Sequence, residues 1–204
     1  MKTLLCYLTL CSSCLIFSQE FFISYGGGNS KYVFYDSNEN KDDSFKKKFG
    51  SSYLIGYYFP SNRKLKWGFS LIYDEHNSEK KINQTNYEWT AGYLTLGPNF
   101  NYTIFNFNNS FSLNSLFDIG FGSIINGKQR INLDELNIVD HPEFKGMFIN
   151  SSIGFGIDMK INTQNTLYFG YKFNVNKRLS NSKSISKIDS FNKNSFILTF
   201  FKSI

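Results

Sequence analysis

Large apolar side chains recur at every second position through most of the chain beyond residue 18. In seven of eight candidate segments, one face carries mainly aromatic or large aliphatic residues and the other carries Gly, Ser, Asn or charge. Such alternation is typical of β-strands whose two faces meet different surroundings. The pattern predicts eight strands, at residues 21–26, 49–59, 67–74, 87–104, 111–125, 147–160, 167–176 and 196–204.

The connectors between these predicted strands alternate between long and short. The long ones cover residues 30–48, 75–86, 126–145 and 177–194, and the short ones cover 60–65, 106–110 and 162–165. Outer-membrane barrels have short periplasmic turns and longer extracellular loops, and a tilted strand of about ten residues spans their apolar band of roughly 25 Å. The sequence therefore predicts an all-β fold: an eight-stranded antiparallel up-and-down transmembrane β-barrel.

The fourth predicted strand departs from simple alternation. Its large apolar residues occupy odd positions from Tyr87 to Tyr93 and even positions from Leu94 to Tyr102. Proline cannot donate a hydrogen bond to a β-ladder and is tolerated at bulges. We therefore predict a β-bulge near Gly97–Pro98.

The first eighteen residues have the features of a cleavable secretory signal peptide. Lys2 supplies a positive charge, residues 4–17 form an apolar stretch, and Ser18 is a small residue before the predicted cleavage site. The barrel domain would then comprise residues 19–204. All three cysteines lie in the signal segment, so we expect no disulfide and no Cys-based site in the exported domain. Export and the barrel pattern together predict an outer-membrane location.

Composition separates this barrel from other classes. Aromatic residues make up 19% of the chain, yet the mean hydropathy is −0.30, which is too polar for a helical membrane protein. A barrel tolerates this polarity because only every second strand residue meets lipid. A soluble lipocalin-like carrier, with its apolar face turned inward around a ligand, is an alternative. The small polar residues of the second face favour the narrow interior of a membrane barrel.

The stretch Tyr93-Leu94-Thr95-Leu96-Gly97-Pro98, followed by Phe100 and Tyr102, resembles a Tyr-Leu-x-Ile-Pro stretch in the fourth strand of a known family. That family is the outer-membrane β-barrel family common in Bacteroidota, which includes PorT-like barrels. The resemblance covers nearly all of residues 19–204 and is mainly architectural. Gly97 is an additional residue before the proline, and Ile204 stands where the family has a terminal aromatic residue. The resemblance implies an outer-membrane location and no particular activity.

His76 and Ser78 form a candidate catalytic pair at the outer end of the third predicted strand. A His-activated serine near the outer leaflet could deacylate lipid A. The residues that follow, Glu79, Lys80 and Lys81, do not continue such a motif, and a solvated loop is the simpler interpretation. We therefore predict a non-enzymatic protein, with a lipid A-modifying hydrolase as the alternative.

Asp140, His141 and Glu143 could offer ligands to a metal ion. Nothing supplies a fourth ligand at close spacing, so we predict an ordinary turn there and neither a metal nor another cofactor.

Charged residues fall into two predicted groups. One group would face the barrel interior and form a polar network: Asp118, Asp158, Lys160 and Lys172. The chain has a formal net charge of +6, and the second group consists of basic residues in the predicted outer loops: Lys46, Lys47, Lys48, Lys80, Lys81, Lys128 and Arg130. These side chains are predicted to contact lipopolysaccharide phosphates, with a solvated surface as the alternative. The predicted partners are outer-membrane lipid, lipopolysaccharide and an envelope protein. No nucleic-acid recognition motif occurs.

Overall fold

The structure is a computed structural model that describes residues 20–35, 40–42, 44–59, 61, 64–142, 144–179 and 187–203. The predicted signal peptide lies outside these residues. The strands are β1 (Glu20–Tyr35), β2 (Lys41–Asp42), β3 (Lys46–Tyr58), β4 (Leu65–Ile82), β5 (Thr85–Asn106), β6 (Phe111–Ile131), β7 (Asp134–Asn137), β8 (Met147–Lys160), β9 (Asn165–Arg178) and β10 (Lys187–Ser203). Over the same residues, no helix is long and apolar enough to cross a membrane.

Eight long strands form a closed wall within the described residues. Each of β1, β3, β4, β5, β6, β8, β9 and β10 pairs antiparallel with the next, and β1 closes the ring against β10. The closing ladder runs from Glu20 opposite Ser203 to Tyr35 opposite Lys187. β2 pairs with β1, and β7 pairs with β6. The predicted fold class, an eight-stranded antiparallel up-and-down barrel, is confirmed.

The two ends of the barrel differ. The turn end holds the connections between wall strands at residues 59–64, 107–110 and 161–164. The hairpin end holds those at 36–45, which include β2, at 83–84, at 132–146, which include β7, and at 179–186. Several strands reach further towards the hairpin end than predicted, so much of the predicted long connectors is β-structure. The predicted connector 75–86 is reduced to a two-residue turn, in which Asn83 has a φ of 55°. The predicted strict alternation of connector lengths is therefore wrong at this position.

The predicted bulge near Gly97–Pro98 is also wrong. Pro98 lies opposite Phe69 in an unbroken β4–β5 register. The register of β5 against β6 shifts instead at Gly92/Tyr93 and at Thr103/Phe105. Odd-numbered side chains face the interior on both sides of Pro98. The apparent change of phase in the sequence therefore reflects a change in the surroundings of the two faces, not a slip of the strand.

The barrel interior is filled by three layers. The hairpin-end plug is apolar and comprises Tyr32, Phe34, Phe45, Trp89, Ala91, Tyr93, Ile124, Ile138, Phe144, Phe148 and Phe191. The turn-end cluster is also apolar and comprises Phe22, Leu54, Tyr58, Ile72, Tyr168, Ile197 and Phe201. Between them lies a buried polar layer, which includes Ser52, Asp74, Asp118, Asn150, Ser152, Lys172, Asn174, Asn176 and Lys193.

The chain that follows β7 closes the hairpin end. Ile138 and Phe144 insert into the plug, where both side chains are buried. The guanidinium of Arg178 donates hydrogen bonds to the carbonyl oxygens of Pro142 and Lys145, at 2.9 and 2.5 Å. This crossing segment therefore packs over the interior.

Candidate functional site

The outer wall carries an apolar belt. Phe69, Phe155 and Phe169 are 39%, 51% and 62% exposed and point away from the barrel interior, as the predicted membrane barrel requires of its apolar face. Every wall strand contributes exposed apolar residues, among them Phe21, Ile23, Tyr53, Ile55, Trp67, Leu71, Leu96, Tyr102, Phe117, Phe121, Ile153, Ile157, Tyr171, Phe173, Phe196, Leu198 and Phe200. A contiguous apolar surface of this extent is unfavourable in water and marks a site of contact with an apolar medium or partner.

The structure brings together two of the four charges that were predicted to face the interior. Lys172 Nζ lies 2.7 Å from Asp118 Oδ2, and the same carboxylate accepts a hydrogen bond from Ser152 at 2.8 Å. Asp158 is buried nearer the turn end, whereas Lys160 is exposed as the last residue of β8. Lys160 therefore lies at the rim of the barrel.

A second buried ion pair was not identified from the sequence. Lys193 Nζ lies 2.5 Å from Asp74 Oδ1 and donates to the hydroxyl of Ser52 at 2.8 Å. The ammonium also donates to the carbonyl oxygens of Ser51 and Glu75, at 2.8 and 2.9 Å. Lys193 falls in the predicted connector 177–194, but the structure places it on β10. The sequence Phe191-Asn192-Lys193-Asn194-Ser195 has polar residues on both faces of a strand, so it carries no alternation that would have indicated the inward orientation of Lys193.

His76 and Ser78 lie on β4 and point inward, not in a solvated loop. The Ser78 hydroxyl donates to the carbonyl oxygen of Lys46 at 2.9 Å. His76 Nε2 is 3.4 Å from Asp74 Oδ2, and the imidazole packs on Phe191 with ring centroids 4.4 Å apart. Both side chains are buried. Neither therefore reaches the outer wall, where the acyl chains of a lipid would lie.

Two of the basic residues predicted at the outer surface are bound to one carboxylate at the hairpin end. Glu135 of β7 accepts from Arg130 at 2.7 Å and from Lys128 at 3.0 Å. These interactions, led by the hydrogen bond from Arg130, lower the pKa of Glu135. All three side chains are exposed, so the cluster is accessible to solvent and screened by it.

Two further basic residues are also paired. Lys48 Nζ lies 2.7 Å from Glu88 Oε2, and Lys80 forms a short ion pair with Asp42. Partial burial would raise the pKa of Asp42, but hydrogen bonds from Lys80 and Ser44 outweigh it and lower that pKa from 3.8 to about 2. The remaining members of the predicted group are exposed and have no carboxylate partner among the described residues: Lys46, Lys47 and Lys81.

Asp140, His141 and Glu143 are the three candidate metal ligands from the sequence. Asp140 and His141 are exposed, and Glu143 lies outside the described residues. Within the described ranges, no group of three or more His, Cys, Asp or Glu side chains could hold a metal ion.

A closed eight-stranded wall, an apolar exterior and an interior filled by side chains define the architecture of small transmembrane β-barrels.

Solved structures with a similar arrangement include Ail of Yersinia pestis, crystallised with the heparin analogue sucrose octasulfate. It is 16% identical, with coverage of 91% of this chain and 99% of Ail and a TM-score of 0.43. Neisserial surface protein A is 13% identical, with coverage of 88% and 95% and a TM-score of 0.48. The outer-membrane enzyme PagL is 10% identical, with coverage of 87% and 97% and a TM-score of 0.46. No protein-family model and no curated protein sequence matches the chain.

Proposed function

We propose that this chain is a non-enzymatic outer-membrane β-barrel with a structural or surface-interaction role. The observation that carries the proposal is the apolar belt on all eight wall strands. Exposure of this surface to water is unfavourable, whereas contact with lipid is favourable. The hairpin end, with its projecting strands, would face the cell exterior, and the turn end would face the periplasm.

The packed interior favours a structural role over transport or carriage of a ligand. Apolar side chains fill both ends of the barrel, and the polar layer between them is occupied by ion pairs and amide groups. The cavity beside Asp118 and Lys172 measures about 10 Å³. This is room for about one water molecule, so this part of the described interior has no space for the ligand of a lipocalin-like carrier.

The hairpin end supplies the interaction surface of the proposal. Lys46, Lys47 and Lys81 are exposed there and could meet lipopolysaccharide phosphates. An envelope protein is a further candidate partner for the same surface. We extend the proposal to the Bacteroidota barrel family on the resemblance of residues 93–98, Phe100 and Tyr102, a stretch that lies on β5.

The orientation of His76 and Ser78 favours this role over lipid A hydrolysis. Their side chains face the interior, and the serine hydroxyl is engaged by a backbone carbonyl group. We expect the lipid A acyl-chain masses of a strain lacking the gene to equal those of the parent strain. A change in those masses that His76→Ala reproduces, with the barrel still folded, would establish the hydrolase instead.

The membrane assignment is tested by heat-modifiable gel migration. We expect the chain to fractionate with the outer membrane, to require detergent for extraction, and to migrate at different apparent masses before and after boiling. Recovery of the folded chain from an aqueous extract without detergent would refute the proposal, because a soluble barrel would not expose this belt.

A further inference from the structure

A groove lies on the outer face of the wall at the hairpin end, just beyond the apolar belt. It has a volume of about 520 Å³ and is formed by β4, β5, β6 and the β6–β7 hairpin. Binding sites for small molecules commonly measure about 300–1,000 Å³. The register shift of β6 against β5 beside Ile125 lies at the base of the groove. Bulges of this kind bend a sheet and re-aim its side chains.

The lining has two chemical halves. Ile125, Leu136 and Val139 form an apolar side, and Ile125 and Leu136 are 47% and 51% exposed. The polar side consists of Glu75, Thr90, Asn126, Lys128, Glu135 and Asn137. The groove therefore presents aliphatic carbon next to neutral, acidic and basic hydrogen-bonding groups.

Height above the belt narrows the choice of ligand. Ile125 is the outermost exposed apolar residue of β6 towards the hairpin end, whereas Leu136 lies opposite Gln129, four residues further along the strand. At about 3.3 Å per residue and a tilt of about 40°, Leu136 stands roughly 10 Å above the belt, beyond the reach of hydrocarbon tails. A lipid that fills the groove would therefore reach it with its headgroup, while its hydrocarbon tails lie against the belt below.

The charges of the groove lining limit the class of ligand further. Two carboxylates, Glu75 and Glu135, and one ammonium, Lys128, line the groove. Arg130 shares the Glu135 carboxylate with Lys128, at 2.7 and 3.0 Å, so the two acidic and two basic charges sum to zero. A phosphate group gains little there. Sugar hydroxyls donate to carboxylates and to amide oxygens, while the carbon face of a sugar ring packs on aliphatic side chains.

From the position, the two-sided lining and the charge, we propose that this groove binds the saccharide headgroup of an outer-leaflet glycolipid. The inference rests on the proposed outer-membrane function and names the ligand class at its outer surface. Asn126 Nδ2 donates to the Tyr73 hydroxyl, and Asn137 Oδ1 accepts from the Val139 N–H. Thr90, Asn126 Oδ1 and Asn137 Nδ2 would form neutral hydrogen bonds with the sugar, Glu75 and Glu135 would accept from its hydroxyl groups, and Leu136 would pack against the ring.

The test uses the full chain, extracted folded from the membrane into detergent, and native mass spectrometry. The probes are lipid A, dephosphorylated lipid A, phosphatidylethanolamine and phosphatidylglycerol at equal mole fractions. We expect one lipid A to be retained at least about tenfold above either phospholipid. Dephosphorylated lipid A should be retained to within about threefold of lipid A, because the sugar makes the principal contacts.

Two groove variants and one control separate the site from general lipid binding. Thr90→Trp fills the groove and should reduce lipid A retention to the phospholipid level, and Leu136→Ser should reduce it several-fold. Asn29→Trp places the same indole on an exposed position of β1, outside the groove, and should leave retention unchanged.

Equal retention of lipid A by Thr90→Trp and the parent chain would overturn the glycolipid site, as would equal retention of phospholipid and lipid A. Loss of binding on dephosphorylation would show that phosphate, not sugar, is recognised. Each variant must first show heat-modifiable migration. A parent chain that does not need detergent would refute the membrane function instead, so the two failures are distinguishable.

Discussion

Replacement of Lys193 by methionine tests whether the buried polar layer stabilises the barrel. The side chains of Lys193 and Asp74 are 0% and 3% exposed, and the substitution leaves the Asp74 carboxylate inside the barrel without its cation. Removing one partner of a buried ion pair costs about 3–5 kcal/mol. Asp74 keeps hydrogen bonds from Ser52 at 2.6 Å and Asn174 at 2.9 Å. We therefore expect the loss to lie near the lower bound, at about 3 kcal/mol.

The double variant Lys193→Met, Asp74→Asn separates the charge from the packing. It removes both charges and leaves the carbonyl oxygens of Ser51 and Glu75 without the ammonium donor. Each lost hydrogen bond costs about 1 kcal/mol of stability. The loss of unfolding free energy in the double variant should therefore be smaller than the sum of the two single losses by at least about 2 kcal/mol.

The assay is guanidinium-induced unfolding in detergent, followed through the fraction of chain that retains folded gel migration. Lys202→Met is the matched control, because Lys202 is exposed on the same strand, and its effect should remain within about 0.5 kcal/mol. A loss below about 1 kcal/mol for Lys193→Met, or strict additivity of the two single losses, would refute the reasoning.

Three further substitutions test the contacts of the wall and of the hairpin end. Phe155→Arg, in the apolar belt, should destabilise the membrane-inserted barrel by about 2–4 kcal/mol in the same unfolding assay, and Phe107→Arg, at the turn end, by at most about 1 kcal/mol. Gly68→Ala should reduce the yield of folded chain on gels, because its Cβ would lie 1.7 Å from the carbonyl oxygen of Tyr57. Asp42→Asn should lower stability above about pH 4, and the difference from the parent chain should vanish as the pH falls through about 2, where the parent carboxylate also becomes protonated. A difference that persisted at lower pH would contradict this assignment.

The sequence is a good guide to the wall where lipid constrains its outer face. Phe69, Phe155 and Phe169 lie on the large apolar face of their predicted strands, and in the structure this face points outward. On these strands one face must be apolar and the other small or polar, so alternation persists over enough residues to be recognised. The bounds predicted for β8, residues 147–160, match the structure.

The extension of the strands beyond the belt was missed because the constraint on the outer face ends there. On β4, Glu75 and Glu79 face outward, while His76 and Ser78 face inward. This pattern gives no contrast between apolar and polar faces, although the backbone ladder continues to Ile82. The same change of surroundings explains β5, where Tyr93 belongs to the plug and Leu94 and Leu96 belong to the opposite face.

The Lys193–Asp74 pair could not be predicted from the sequence, for a different reason. The two residues are 119 positions apart and meet across the interior, not along one ladder. Lys172 and Asp118 were predicted because both lie in strongly alternating segments. Their pairing, unlike their orientation, depends on barrel registers that alternation does not specify.

The layers inside the barrel follow from what surrounds the wall. At the height of the belt, lipid covers the apolar face, so the interior can be polar provided that its charges are paired, as those of Asp118 and Lys172 are. Beyond the belt, both faces of the wall would meet water if the interior were not filled. A sheet that buries neither face is not stable in water. The hairpin-end plug covers the inner face: Phe191 stacks on Tyr93 at 4.4 Å and Phe34 on Phe45 at 4.5 Å, and both Phe191 and Tyr93 are buried. The projecting part of the barrel therefore has the core of a water-soluble protein. The embedded part has an apolar exterior, and its interior holds the polar layer and the apolar turn-end cluster. The plug can hold the outer surface and its groove in shape without help from lipid.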